Sequence, residues 1–352
     1  MNTSSDSLAP TPSGDGVPFG VVGTGSLGFH HTRILRDVDD VRLVGFHDAS
    51  PERSEFVAGE LEVTAFADVE ALLDQVRAVV IAVPTTAHES VAVAALERGV
   101  HVLIEKPIAP SLESADRILA AAQASGAIVQ TGHVERFNPA ILAAEPYLER
   151  PVFVESHRLA PFVARGTDVA VVLDLMIHDV DLVRSLVGAP VTGIDAHGVP
   201  VLTPSIDIAN ARLQFESGAV ANLTASRVSM KKERKLRIFQ PSGYMSLNLA
   251  DGTGSFLRLK GEMPPGLAAA LSGEAGAEAP EIPAGGLLGL VEQIPLQGDG
   301  AEPLRRELEA FRDAVLGRRP PVVSGADGRD ALAVTLDIEN LIRSHVADSR
   351  PA

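Results

Sequence analysis

Pro18-Phe19-Gly20-Val21-Val22-Gly23-Thr24-Gly25-Ser26-Leu27-Gly28 is an apolar strand that runs into a glycine-rich turn and then a helix. Its spacing, Gly23-x-Gly25-x-x-Gly28, has a physical rationale. The first glycine permits a tight turn, the second lets the backbone approach a pyrophosphate, and the third lets helix and strand pack closely. The helix, from Ser26 to Arg36, then aims the positive end of its dipole at that phosphate. A second strand, Val41 to His47, ends at Asp48, about 20 residues beyond the last glycine, where a carboxylate binds the ribose hydroxyls of a dinucleotide. A carboxylate there repels a 2′-phosphate, which favours NAD over NADP.

Outward from this stretch, strands and helices alternate. Helices are predicted at Pro51–Leu61, Asp68–Gln75, His88–Arg98 and Leu112–Ser125. Strands are predicted at Arg77–Pro84, His101–Glu105 and Ala127–Thr131. This alternation predicts a doubly wound parallel Rossmann sheet over 17–138, with ligands beyond the carboxyl ends of its strands. Three such ends carry suggestive residues: Gly23 to Gly28, Pro84-Thr85-Thr86-Ala87-His88, and Glu105-Lys106-Pro107. Residues 1–16 are rich in Ser, Thr, Pro, Gly and Asp and read as a disordered tail. From 139 to 352 the pattern changes to a strand near Val152–Arg158, a helix near Ala170–Leu186 and then many strands in succession between Val191 and Lys260, two of them joined at Ser217-Gly218. A second, α+β domain on one large, mostly antiparallel open sheet is expected, closed by helices at Pro303–Leu316 and Gly328–Val346. The Gly-, Pro- and Ala-rich tract 262–300 reads as a long excursion from it.

A chain of 352 residues with 45% hydrophobic and 22% charged content fits two soluble globular domains. There is no run of about 18 apolar residues, and Met1 to Ser7 lacks the basic and then apolar regions of a signal peptide. A cytoplasmic protein without a membrane span is expected. The absence of cysteine excludes disulfides, thiolate metal sites and cysteine nucleophiles. A formal charge of −16 argues against nucleic acid and anionic membranes as partners, because a basic footprint drives those contacts. An anionic substrate therefore requires a local basic cluster.

Three groups of residues could carry chemistry. Lys106 follows a buried strand, so its ammonium would stand at the rim of the cofactor crevice, where a lowered pKa would let it exchange a proton with a substrate hydroxyl. From position alone it reads equally as a surface lysine. On a helix, Asp174, His178 and Asp181 share a face, while Val172, Met176, Val180 and Val183 form the apolar face that packs on a sheet. A carboxylate beside an imidazole suits general acid/base work, but a solvated i, i+4 pair or a metal site fits the same spacing; for the metal, a third His or Glu ligand is missing. Arg227, Lys231, Lys232, Arg234, Lys235 and Arg237 form a basic run that reads either as a solvated hairpin tip or, with Arg136, as a receiver of phosphate. His30, His31 and His47 read as parts of the framework.

Taken together, the glycine loop, Asp48, the Glu105-Lys106-Pro107 triplet, Asp174-x-x-x-His178 and the large sheet resemble the glucose-fructose oxidoreductase / inositol dehydrogenase / MocA family from Val17 to about Val346. The resemblance implies that Lys106, Asp174 and His178 are catalytic and that no metal is required. It implies NAD contacts from Gly23, Thr24, Gly25, Ser26, Leu27, Asp48, Thr85, His88, Glu105 and Lys106. The stretches Thr131 to Pro139 and Thr224 to Gln240 are similar to those of nucleotide-sugar dehydrogenases, which implies oxidation of a secondary hydroxyl to a ketone, with UDP-N-acetylglucosamine at C3 as the nearest substrate and lipid A precursor synthesis as the use. His133, Arg136, Arg227, Lys232 and Lys235 are then the substrate-binding candidates. A homodimer or homotetramer through the C-terminal sheet is also implied. Oxidation of a cyclitol or free sugar, an NAD-dependent glycosidase and a non-catalytic NAD-binding sensor are the alternatives.

Overall fold

The computed structural model describes residues 16–163, 169–261 and 289–348. They fall into two compact units, one of residues up to Phe137 with Glu302–Ala333, the other of Asn138–Ala301 with residues from Val334 on. The first unit begins with β1 (Val17–Val22), α1 (Ser26–Leu35), β2 (Val41–His47), α2 (Pro51–Leu61), α3 (Val69–Leu73), β3 (Ala78–Ile81), α4 (His88–Glu97), β4 (His101–Glu105), α5 (Leu112–Ser125) and β5 (Val129–Gly132). Its five strands run parallel in the order β2-β1-β3-β4-β5, the doubly wound sheet expected from the alternation. All four residues of β3, Ala-Val-Val-Ile, are buried, as a strand covered by helices on both faces requires. Ser50, Asp68 and Ser111 cap α2, α3 and α5 by accepting N–H groups of Arg53, Ala71 and Ser114. In contrast, α1 starts at Gly25 with no side-chain cap. The order of the strands reverses between β1 and β3, which is where such a sheet opens a crevice for ligands.

In the second unit, α6 (Pro139–Ala144), β6 (Phe153–Leu159), α7 (Ile177–Val187), β7 (Val191–Val199), β8 (Ile208–Phe215), β9 (Val220–Ser226), β10 (Glu233–Gln240), β11 (Gly243–Asn248), β12 (Thr253–Leu259) and β13 (Val291–Gln297) follow one another. The eight strands form one sheet in the order β13-β12-β11-β10-β6-β9-β8-β7. Every pairing is antiparallel except that of β6 with β9. Burial alternates along β6 and β8, so one face of the sheet packs on a core and the other is less buried, with Phe153, Phe239 and Tyr244 among polar residues. Val154, Ala211, Leu223, Leu236 and Met245 line the packed face against Ile141 of α6 and Val180 and Val183 of α7. Gly218, at φ +83°, turns β8 into β9 at the expected hairpin.

Three elements differ from the sequence reading. The tract 262–300 was expected to be an excursion, yet Val291–Gln297 is the edge strand β13, with Leu296 buried in the core and Pro295 confined to an edge that can tolerate a missing N–H. Residues 262–288 of that tract and 1–15 of the 1–16 tail lie outside the described residues. After β13 come α8 (Pro303–Val315) and α9 (Gly325–Asp348). Both were assigned to the second domain because they follow its strands. However, Leu304, Leu308 and Phe311, spaced along one face of α8, join the core of Phe19, Val21 and Phe46, with the Phe19 and Phe311 rings edge to face at 5.6 Å. The chain thus returns to its first unit, and α9 belongs to that unit up to Ala333 and to the second from Val334.

Candidate active site

In the first unit the three glycines of the loop meet different surroundings. A Cβ on Gly28 would lie 1.9 Å from the Gly23 carbonyl oxygen, and one on Gly23, whose φ is +85°, would lie 2.8 Å from the Ala82 backbone. These two glycines are required by the fold. Gly25 has nothing within 4 Å of where a Cβ would be, so the backbone there borders open space. The uncapped N–H groups of α1 begin there.

Asp48, just past β2, accepts the main-chain N–H and the hydroxyl of Thr24 on Oδ2, at 2.6 and 3.0 Å, and the N–H of Ser50 on Oδ1 at 2.9 Å. Burial pushes the Asp48 pKa up, but these donors and the nearby Arg53 charge more than reverse it and hold the group below its ordinary value. The sequence reading missed Arg53. Its guanidinium donates to the carbonyls of Thr24 at 2.6 Å and Gly25 at 3.1 Å, and stacks on Phe29 and Phe56. A cation one turn into the helix after Asp48 was its only signal. Ser26 and Leu27 are exposed beside the loop, and Thr85 is half-buried.

Two expected cofactor contacts turn inward instead. Glu105 is 7% exposed: its Oε1 lies 2.7 Å from Nε2 of buried His31, and its Oε2 accepts the Lys106 N–H at 3.2 Å. His88 is 1% exposed, with Nδ1 2.9 Å from the Pro107 carbonyl oxygen and Nε2 3.0 Å from that of Val83. Burial lowers the His88 pKa, opposed by these carbonyls and by the Glu105 charge. Neither side chain is presented to a ligand, because both are spent on the framework. Side-chain atoms of His31, Glu105 and Glu307 lie within 4.8 Å of one another, all buried, with the His31–Glu105 separation that of a hydrogen bond. Lys106, between the inward Glu105 and a cis peptide bond to Pro107, is half-buried. His133, expected to touch substrate, is 1% exposed at the end of β5, while Arg136 in the following 3₁₀ turn is half-buried.

In the second unit, Asp174 lies in a π-helical turn, Val172–Met176, that runs into α7, and His178 is the second residue of α7. A π turn inserts a residue into the helical ladder and is frequent at functional sites, a departure that spacing alone does not reveal. Asp174 and His178 are half-buried, but Asp181 is fully buried, so the three do not present one exposed face. Val172, Met176, Val180 and Val183 are all fully buried, as the apolar face requires. Asp179, not foreseen, anchors α7 to the sheet. It accepts from Arg158 at 2.7 and 3.1 Å and from the Ser156 hydroxyl at 2.9 Å, all buried.

The basic run disperses. Arg227 is 6% exposed, donates to the Val169 carbonyl and has Nε 3.9 Å from the buried Asp207 carboxylate, so its charge is used inside the fold. Lys235 and Arg237 alternate with the core residues Leu236 and Ile238, which puts them on the less buried face of the sheet, opposite the face that carries α7. Arg237 pairs there with Glu155 at 3.2 Å. Lys232 is exposed in the turn before β10. Alternation along a strand could have been read from the sequence; burial beside Asp207 could not.

Residues 17–133 match the oxidoreductase family with an NAD-binding Rossmann fold, and 150–246 match the GFO/IDH/MocA C-terminal domain. The chain belongs to the GFO/IDH/MocA family. Among its relatives, UDP-N-acetylglucosamine 3-dehydrogenase of Acidithiobacillus ferrooxidans is 36% identical over 324 residues, covering 91% of this chain and 95% of that one. The scyllo-inositol 2-dehydrogenase (NAD(+)) of Bacillus subtilis is 30% identical over 230 residues, 59% of this chain and 67% of that one. A solved structure of the Acidithiobacillus enzyme superposes with a TM-score of 0.82 at 34% identity, covering 93% of this chain and 98% of that one.

As a GFO/IDH/MocA protein, this chain is an NAD-dependent oxidoreductase. Its residues fit the cofactor: the open space at Gly25 and the uncapped start of α1 suit a pyrophosphate, and the Asp48 carboxylate suits ribose hydroxyls. Among the described residues, no helix is long and apolar enough to cross a membrane.

Proposed function

We propose that this enzyme oxidises the C3 hydroxyl of UDP-N-acetylglucosamine to a ketone. The observation that carries this reading is the end-to-end similarity to a relative of that name, over 95% of its length. NAD⁺, when bound, supplies the acceptor for the hydride that leaves the carbinol carbon. The proton of the hydroxyl oxygen passes to a general base, for which Lys106 in the first unit and His178, beside Asp174, in the second are the proposed residues, so that two electrons and both hydrogens leave the alcohol. Gly23, Thr24, Gly25, Ser26, Leu27, Asp48 and Thr85 hold the cofactor. Arg136 and Lys232 remain the cations offered to a diphosphate, because Arg227 is engaged internally and Lys235 lies on the other face of its sheet from α7. The 3-keto product suits amination to a 3-amino sugar of the kind found in lipid A, in the cytoplasm. The less buried, open face of the large sheet is the surface proposed for assembly into a homodimer or homotetramer.

The dispersal of the basic run favours one second reading, oxidation of a cyclitol, which needs no diphosphate site; the similarity to an inositol dehydrogenase agrees with it. Reduced-nicotinamide absorbance, measured with a ketone trap, separates the two. The first reading expects signal with UDP-N-acetylglucosamine and none with N-acetylglucosamine or scyllo-inositol. Signal with scyllo-inositol alone would replace it by the second.

A further inference from the structure

We propose that His31 and His88 are positioning residues that hold the main chain of Lys106 from two sides. The inference rests on the reading of Lys106 as a catalytic residue. Where β4 ends, Glu105-Lys106-Pro107 leaves the sheet, and each neighbour of the lysine is tied to a different buried imidazole. On the amino side, one carboxylate oxygen of Glu105 accepts the Lys106 N–H at 3.2 Å while the other lies 2.7 Å from His31 Nε2. Room for this carboxylate exists because Gly132 on the adjacent β5 has no side chain; a Cβ there would lie 3.0 Å from the Glu105 carboxyl group. On the carboxyl side, His88 Nδ1 lies 2.9 Å from the Pro107 carbonyl oxygen.

His88 does more than hold one turn. Its other nitrogen is 3.0 Å from the Val83 carbonyl oxygen; a neutral ring, with a single N–H, donates to one of these two carbonyls and packs against the other, so it lies between the segments that follow β3 and β4, the first leading to Thr85 and the second carrying Lys106. These are neighbouring strands of the sheet, and ligands of such sheets bind beyond their carboxyl ends. Both rings are closed to solvent, His31 at 0% and His88 at 1% exposure, so neither can touch substrate, yet both converge on three residues. Buried polar groups are kept where their hydrogen bonds fix a geometry. Here that geometry is the direction in which the Lys106 side chain leaves the backbone, and displacement of a reacting group by about 1 Å can cost about 10²-fold in rate.

The test uses the full chain with His31→Gln and His88→Gln made singly, and Lys106→Met as the reference. Steady-state turnover with NAD⁺ and UDP-N-acetylglucosamine is read beside an activity-independent signal, the rate of Lys106 acetylation by acetic anhydride, followed by peptide mass spectrometry and scaled to exposed Lys232. Each Gln variant is expected to keep its melting temperature within a few degrees, to lose about tenfold or more in kcat with KM and the calorimetric Kd for NAD⁺ changed less than about threefold, and to acetylate Lys106 at least about threefold faster. Folded variants with unchanged kcat and unchanged Lys106 acetylation would overturn the proposal, as would failure of both variants to fold, since the rings would then be structural only. If Lys106→Met turns over normally, the catalytic reading of Lys106 falls, while the acetylation rates still decide whether the two histidines hold it.

Discussion

The carboxylate of Asp48 reaches back to Thr24 in the glycine loop, accepting its N–H at 2.6 Å and its hydroxyl at 3.0 Å on one oxygen. The carboxylate proposed to bind the ribose is thus also a strut of the glycine loop. Replacing it disturbs both. Asp48→Ser is expected to weaken NAD⁺ binding about tenfold or more and to raise the NADP⁺/NAD⁺ ratio of kcat/KM, because the repulsion of a 2′-phosphate is removed while the Arg53 guanidinium, bonded to the Thr24 and Gly25 carbonyls, remains close by. Kinetics with each cofactor check this; an unchanged ratio would remove Asp48 from cofactor selection.

Gly25 and Gly28 separate function from folding within one loop. Gly25→Ala places a methyl group in open space, so the melting temperature should hold while affinity for NAD⁺ falls at least about tenfold. Gly28→Ala drives a methyl group into the Gly23 carbonyl, at 1.9 Å, and should cost several degrees of melting temperature or soluble expression itself. Calorimetry of both variants, thermal and with NAD⁺, decides between these outcomes. Equal loss of stability in the two would contradict the division.

Lys106→Ala should lower kcat by about 10² to 10⁴ while leaving NAD⁺ affinity within about threefold, as expected when a proton acceptor is lost and the binding surface is kept. The inward-facing Glu105 predicts a different pattern. Glu105→Gln keeps the shape but removes the charge beside His31, so stability and turnover should both fall. A Glu105→Gln enzyme that lost only NAD⁺ affinity would instead return Glu105 to the cofactor.

The Asp207 carboxylate accepts N–H groups of Val201, Leu202 and Thr203 and the Thr203 hydroxyl, all between 2.6 and 2.8 Å. Burial raises its pKa, but these donors prevail and bring it from 3.8 down to about 2. A carboxylate with a depressed pKa stabilises the fold fully above its unfolded value and loses that contribution as pH falls through the folded value. Asp207→Asn should therefore destabilise by about 1–3 kcal/mol at pH 7, and the difference from the parent should shrink between pH 4 and pH 2. Urea unfolding across that range tests the sign. A difference that does not change with pH would show that charge at Asp207 is irrelevant to stability.

What the sequence determined by itself is what depends on near neighbours. The glycine spacing, the buried run of β3 and the alternation along β8 and β10 follow from backbone sterics and from periods of two or 3.6 residues, so the doubly wound sheet, the large open sheet and the dinucleotide seat were legible without coordinates. The apolar face Val172, Met176, Val180 and Val183 was legible for the same reason. Tertiary structure decided the rest, because partners distant in sequence set the environment of a charge. The same triplet turns Glu105 inward to His31 and leaves Lys106 half-buried; Arg227 disappears beside Asp207; and α8 leaves the strands it follows to bury Phe311 on Phe19. Charge and position in the chain mark a residue as available for chemistry, but only the packing around it determines whether that charge is already committed to a buried partner.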